Sequence, residues 1–389
     1  MKKVFLGLFI LAALAMPAIA EEQMNPIITA MPSLSIAPDA RSGGMGDVGA
    51  ATAPDLNSQH WNPAKYAFMD SHGGITANYT PWLRKLVTDI DLAYIAGYYT
   101  ISEMAGTLSA SFTYFSLGKV DLTLDNGQFL AEAHPNEWAL DLAYSRKLHE
   151  YVSMAVAMRF LYSDMSNGVG TTNGVPEMHP GMTAAADVSL YYRQPLELAM
   201  GTSYLALGLN ISNLGGKITY NEDTYSFIPA NLRLGASYEL PFDQYNSLTF
   251  NLEANKYLVP TRASRFATAE DGKWTEKEYS TLSSPRGWFM SFADAPNGVK
   301  EEFQEVQFGV GLEYSYDKKF FARAGYSHEN KWKGNRRYAT VGAGFHLSIF
   351  SLDVAYVIAT NASNPLDQTL RFTVGFDLAG IKDLVNNKK

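Results

Sequence analysis

Apolar side chains recur at every second position through runs of about ten residues, the length a tilted membrane strand needs, across most of this 389-residue chain. Beyond residue 20, no window reaches the ~18 consecutive apolar residues of a membrane helix. Val152, Met154, Val156, Met158 and Phe160 alternate with Ser153, Ala155, Ala157 and Arg159. Val306, Phe308, Val310, Leu312 and Tyr314 alternate with Gln307, Gly309, Gly311 and Glu313. Successive strand side chains point to opposite faces, so each run has one large apolar face and one small or polar face. A soluble β-sandwich alternates in the same way. The length of the runs and the small second face favour a membrane barrel instead. So do the aromatic residues at the run ends: Tyr79, Tyr98, Tyr114, Trp138, Tyr162 and Tyr192.

About fourteen antiparallel strands are expected. They start near His72, Val87, Gly106, Asn136, Tyr151, Gly181, Gly201, Pro229, Asn246, Glu305, Phe320, Tyr338, Ile349 and Gln368. The long connections follow strands three, five, seven and nine, whereas the even-numbered ones are tight, as at Asp317-Lys318-Lys319. Short periplasmic turns alternating with long external loops are the signature of an outer-membrane β-barrel. The fold class expected is therefore all-β, a transmembrane barrel of residues 72–378 with its loops at the cell surface.

The ends of the chain agree with export. Lys2 and Lys3 precede an apolar run from Val4 to Ala15, and Ala18-Ile19-Ala20 has the small-residue pattern of a cleavage site. Residues 1–20 are expected to be a signal peptide, and 379–389 a polar tail. The chain has no cysteine, which excludes disulfides and thiolate metal sites. A net charge of -8 and a pI near 5.4 argue against a nucleic-acid partner, which needs a basic face.

Alternation disappears between residues 21 and 71. Prolines punctuate that segment, Gly43, Gly44, Gly46 and Gly49 cluster in it, and Met45, Val48, Leu56, Trp61, Tyr66 and Phe68 give it apolar content. A plug folded inside the barrel mouth is expected. Gly44-Met45-Gly46-Asp47-Val48-Gly49 has the spacing of a dinucleotide-binding loop, but that loop works only between a buried strand and a helix start, in a βαβ unit absent here. Close packing of plug on wall is the better reading, and no cofactor is expected.

Two further stretches carry a resemblance. Pro38-Asp39-Ala40-Arg41-Ser42-Gly43-Gly44-Met45-Gly46-Asp47 and Asn57-Ser58-Gln59-His60-Trp61-Asn62-Pro63-Ala64-Lys65-Tyr66-Ala67 resemble the PorV (LptO) family of type IX secretion proteins. The Asn62-Pro63-Ala64 step is shared with the wider superfamily of the fatty-acid transporter FadL. The resemblance implies a fourteen-stranded barrel with an N-terminal plug in the outer membrane of Bacteroidetes-type bacteria. It implies as partners the large translocon barrel, the C-terminal signal domains of secreted cargo, and a sortase-like complex that attaches cargo to lipopolysaccharide. The chain departs from many outer-membrane barrels in not ending on an aromatic residue.

The seven histidines (His60, His72, His134, His149, His179, His328 and His346) show no metal-ligand spacing, so no metal is expected. Asp141, Arg159, Asp187, Arg233, Glu239, Glu253, Glu313, Arg323, Asp353 and Arg371 face the barrel interior and carry both signs. Mutual ion pairing is expected of them, because a lumen charge needs a partner where water is scarce. The longest loop, about 258–303, holds Trp274, Tyr279, Trp288, Phe289 and Phe292, with Pro285 and Pro296 stiffening it. Those aromatics suit a protein-binding surface or a lid folded over the mouth. Three functions follow in order of preference: a non-enzymatic cargo carrier, a channel for hydrophobic small molecules, and a lipopolysaccharide deacylase. No Ser/His/Asp grouping stands out for the last.

Overall fold

The computed structural model describes residues 24–123, 127–167, 179–221, 224–360 and 366–378. The expected signal peptide (1–20) and polar tail (379–389) lie outside these residues. Fourteen strands close into one antiparallel barrel. They are β1 (Gly73–Pro81), β2 (Asp91–Ser102), β3 (Gly106–Ser116), β4 (Asn136–His149), β5 (Val152–Asp164), β6 (Gly181–Leu198) and β7 (Gly201–Gly215). The rest are β8 (Asn231–Pro241), β9 (Asn246–Tyr257), β10 (Gln307–Tyr316), β11 (Phe320–His328), β12 (Arg337–His346), β13 (Phe350–Ala359) and β14 (Leu370–Asp377). Each strand pairs with its neighbour in sequence. β1 closes on β14 in a register running from Gly74↔Asp377 to Tyr79↔Phe372.

Alternation translates directly into environment. On β5 the large apolar side chains Val156, Met158 and Phe160 are exposed, whereas Ser153, Ala155, Ala157 and Arg159 are buried. Phe308, Val310, Leu312 and Tyr314 likewise face outward on β10. A soluble protein hides such a face; here it meets lipid, and among the described residues no helix is long and apolar enough to cross a membrane.

Several local details differ from the expectation. β2 begins at Asp91 rather than near Val87, because Leu83 adopts φ 53° and the Val87 N–H turns back to the Leu83 carbonyl at 3.1 Å. Tyr98 is not at the membrane interface. It is buried in the lumen, stacked on Tyr66 at 4.8 Å, and the neighbouring Tyr99 faces outward. The external connections contain two small ribbons, Val120–Thr123 with Phe129–Ala133 and Ile218–Thr219 with Tyr225–Ser226. At the other end, Asp317 and Lys318 both take left-handed φ (53° and 51°) in the three-residue connection between β10 and β11, where the Lys319 N–H donates to the Tyr316 carbonyl at 3.0 Å.

The segment before β1 threads the barrel. Asn25 is held among the external loops, its N–H donating to the Trp332 carbonyl (2.8 Å) and its Nδ2 to Glu301 Oε1 (3.0 Å). The chain then descends through buried turns, Pro32–Ser35, Ala40–Gly43, Ser58–Trp61 and Pro63–Phe68, to reach β1 at the short-turn end.

Met158, 73% exposed at the middle of β5, tests the lipid assignment. Met158→Lys is expected to destabilise the barrel by ~2–4 kcal/mol in denaturant titrations from lipid vesicles. A change within ~0.5 kcal/mol, normal for a water-facing surface, would place that face in water.

Candidate functional site: the plugged lumen and the long external loop

The plug fits because plug and wall give up side chains where they meet. A Cβ on Gly46, whose φ is +76°, would lie 2.7 Å from the Tyr326 backbone. From the wall side, a Cβ on Gly208 would meet the Ala50 carbonyl at 2.0 Å, and one on Gly325 would meet Met45 at 2.1 Å. The nucleotide-like spacing thus has a packing cause: Gly44 and Gly46 let the plug backbone approach the Gly342 and Tyr326 backbones, and Gly49 makes room for the Trp61 ring. The plug's own N–H groups are satisfied by short polar side chains from the strands. Ala40 N–H donates to Thr373 Oγ1 and Gly46 N–H to Thr340 Oγ1, both at 2.8 Å; Gly49 and Ala50 N–H share Glu253 Oε2 at 2.8 Å.

Asn62-Pro63-Ala64 is a packing device of the same kind. Asn62 Oδ1 accepts the Ala64 N–H (3.1 Å) and so caps the 3-10 turn, with Pro63 at its first position. Asn62 Nδ2 donates to the Ala50 carbonyl inside the plug and to the Leu190 carbonyl of the wall, at 2.9 and 3.0 Å. Ala64 is fully buried against Ala155, Tyr191 and Ala206. Trp61 donates its indole N–H to Asp39 Oδ1 (2.6 Å) and lies under the Arg233 guanidinium (4.9 Å).

The inward charges pair, and the plug supplies some of the partners. Arg159 bridges Asp141 (2.5 Å) and Asp187 (3.2 Å), and Arg233 meets Glu253 at 2.9 Å. Glu313 takes a two-pronged contact from Arg41 of the plug (3.0 and 2.8 Å) and a third bond from Arg323 (2.6 Å), which continues to Asp353 (2.5 Å). Arg371 reaches Asp47 at 2.5 Å, and the Tyr338 hydroxyl donates to the same carboxylate at 2.6 Å. Glu239 instead lines a cavity of about 550 Å³ at the short-turn end, with Arg41, Asp55, Arg193, Glu313, His346 and Asp353. A cavity of about 70 Å³ at the loop end, lined by Trp82, Arg233 and Arg336 among others, shares no residue with it, and the plug lies between them.

The long loop is folded, with short helices at Glu276–Thr281, Ser284–Met290 and Val299–Gln304. Its aromatics divide. Tyr279 is buried edge-on to Phe227 (5.2 Å) with its hydroxyl on the Pro260 carbonyl (3.1 Å), and Trp274 packs on that cluster. Trp288 is half-buried, whereas Phe289 and Phe292 are exposed at 78% and 51%. The lid and the outward surface therefore coexist. Val299 and Phe303, 72% and 70% exposed, were not expected in that surface. They lie on a helix whose buried side is acidic: Glu301 and Glu305 turn inward to Lys333 (2.6 and 2.9 Å), and Glu305 also to Lys256 (2.5 Å). This helix is inverted, since its apolar side faces out.

The description "Type IX secretion system protein PorV" is that of a family model matching residues 19–264. The chain belongs to the PorV family. It is an outer-membrane component of type IX secretion. The match covers the plug and the strands through β9, and ends where the long loop begins, so the outward aromatics lie beyond it. No curated protein sequence matches the chain. Among solved structures, the Pseudomonas putida toluene transporter TodX aligns over 91% of this chain and 98% of its own, with TM-score 0.50 and 11% identity. A TodX deltaS2S3 mutant, titled a monoaromatic hydrocarbon channel, aligns over 87% and 98%, with TM-score 0.53 and 11% identity. A Pseudomonas aeruginosa FadL homologue covers 91% and 99%, at TM-score 0.44 and 10% identity. At such identities the TodX structures establish a common barrel fold with this chain and nothing further.

Glu313 is the charge on which plug and wall converge. Glu313→Ala removes the carboxylate that Arg41 and Arg323 share, leaving Arg41 with Asp55 and Arg323 with Asp353, and is expected to cost ~1–3 kcal/mol in denaturant titrations from vesicles. Glu313→Gln, which keeps an acceptor, should lose less. Equal stability of all three proteins would mean that the network does not hold the plug.

Proposed function

We propose that this PorV-family chain is a non-enzymatic carrier. It holds the C-terminal signal domain of secreted cargo on its external loops, takes that domain from the translocon barrel, and brings it to a sortase-like complex that attaches cargo to lipopolysaccharide. The supporting observation is the inverted helix Val299–Gln304 with the neighbouring Phe289 and Phe292. Four large apolar side chains stand in the open on a loop that is itself folded and ion-paired. Exposed aromatics on a rigid base are what an interface uses as anchors, because little ordering entropy remains to be lost on binding.

The hydrophobic-channel reading needs an apolar passage. The cavity of about 550 Å³ is mixed instead, with Leu56, Phe68, Met69, Ile349 and Phe350 beside Arg41, Arg193, Glu239 and Glu313, and is not a continuous apolar passage. The likeness to TodX therefore supplies no substrate for this chain.

A photoreactive residue at Phe292, more exposed than Trp288 and outside the pair substituted below, tests the reading in secreting cells. Capture of secreted proteins that share one C-terminal domain is expected. The pair Phe289→Ala with Phe303→Ala should lower that capture by about tenfold or more, as loss of interface anchors does, while the barrel stays folded. Undiminished capture and secretion in the double variant would remove this surface from the function.

A further inference from the structure

The two ends of the long loop meet over a cluster of buried carboxylates. Asp294 is fully buried and joins Glu302 and Glu305, with one oxygen from each of the three within 4.8 Å of the others. Every other hydrogen-bonding contact around them is taken. Glu305 Oε1 accepts from Thr261 Oγ1 (3.0 Å) and Lys333, and its Oε2 from Lys256. Glu302 Oε1 accepts the Ala295 N–H (2.8 Å) and its Oε2 faces Lys256 at 3.2 Å. Asp294 Oδ2 accepts the Thr261 N–H at 2.7 Å. Asp294 Oδ1 is left, shielded from solvent and without a hydrogen-bond partner among the described residues.

Charge counting gives the same result. The carboxylates of Asp294, Glu301, Glu302 and Glu305 meet two ammoniums, Lys256 and Lys333. The nearby arginines do not make up the difference, since Arg262 lies over the Tyr279 ring (4.8 Å) and Arg265 over Phe266 (4.9 Å). An uncompensated carboxylate in a dry site costs several kcal/mol, so it takes up a proton or a cation. Burial, opposed by the Thr261 N–H and reinforced by Glu305 and Glu302, pushes the Asp294 carboxyl up to about 7.

We infer that the root of the long loop is a divalent-cation site, with Asp294 Oδ1 as the free ligand atom, Glu302 and Glu305 beside it, and calcium as the ion that fits. Oxygens within 4.8 Å of one another are close enough to share one ion that binds them at ~2.3–2.6 Å. An all-carboxylate donor set selects a hard cation over zinc or copper. Magnesium dehydrates reluctantly and usually keeps several waters, so a buried all-carboxylate site suits it less well. The ion would join Thr261, at the start of the loop, to Asp294, Glu302 and Glu305 near its end. Glu305 would be held inward and Val299 with Phe303 outward. The assignment rests on the geometry of the loop root and stands whether or not the loop binds cargo.

The test uses the purified full chain in detergent micelles, stripped with chelator and titrated with calcium chloride alone in a calorimeter. One site is expected, with a dissociation constant in the ~10⁻⁴–10⁻³ M range of extracellular calcium modules. Proteolytic cutting within 265–304 should slow about tenfold or more at calcium concentrations well above that constant. Asp294→Asn should abolish both effects; if that variant fails to fold, Glu302→Gln should weaken them. Cargo capture is scored separately, so failure of the carrier reading leaves the calcium result intact. The assignment is overturned by absence of binding heat and protection at millimolar calcium, or by binding that survives Asp294→Asn. It is equally overturned if protection of the loop follows pH alone, disappearing above neutrality without any response to calcium, because Asp294 then holds a proton.

Discussion

Hydrocarbon offers a backbone N–H or carbonyl no partner, so a strand can cross a membrane only with neighbours on both sides. Everything else here depends on that requirement being met by the pairing of β1 with β14 from Gly74↔Asp377 to Tyr79↔Phe372. Once the sheet is closed, the outer face must be apolar to suit lipid, and the inner face is free to be small and polar. The period-two pattern is the record of that division. It also creates a second problem, because a fourteen-stranded wall encloses more space than its own inward side chains occupy.

The plug answers the second problem. It brings an irregular backbone with unpaired donors into a dry interior, and the wall supplies acceptors where they are needed: Thr340, Thr373 and Glu253. Glycines on both surfaces let backbones approach, as Gly46 does at Tyr326 and Gly325 at Met45. Ion pairs then cross the junction, with Arg41 on Glu313 and Asp47 on Arg371. Each partner is costly to bury alone, so the lumen is stable only as a matched set. The space left over is divided by the plug, and large apolar side chains stand exposed outside it, on the long loop.

Much of this was legible in the order of residues because membrane strands obey a strong local rule. Val152 to Phe160 needs no knowledge of its neighbours to show which face is which, and turn residues such as Asp317 and Lys318 mark the ends. The misses all involve a choice between adjacent or distant partners. Tyr98 and Tyr99 differ by one position, and only the site of Tyr66 decides which turns inward. The ion-pairing roles of Arg41 and Asp47 depend on residues more than 250 positions away. The inverted helix is the sharpest case. Nothing in the order of residues singles out Val299 and Phe303; Lys256 and Lys333, contributed by distant segments, draw Glu301 and Glu305 inward and leave the two apolar side chains outside. The orphaned oxygen of Asp294 is equally invisible until Thr261, Glu302 and Glu305 are placed around it.

On the carrier reading proposed above, the barrel is a closed support whose working surface is external, not a conduit. Single-channel recording of the purified protein in a planar lipid bilayer addresses that point most directly. The plugged, ion-paired lumen predicts no steady conductance step from the intact chain. A stable open conductance with the plug in place would contradict the account and return the barrel to the class of channels.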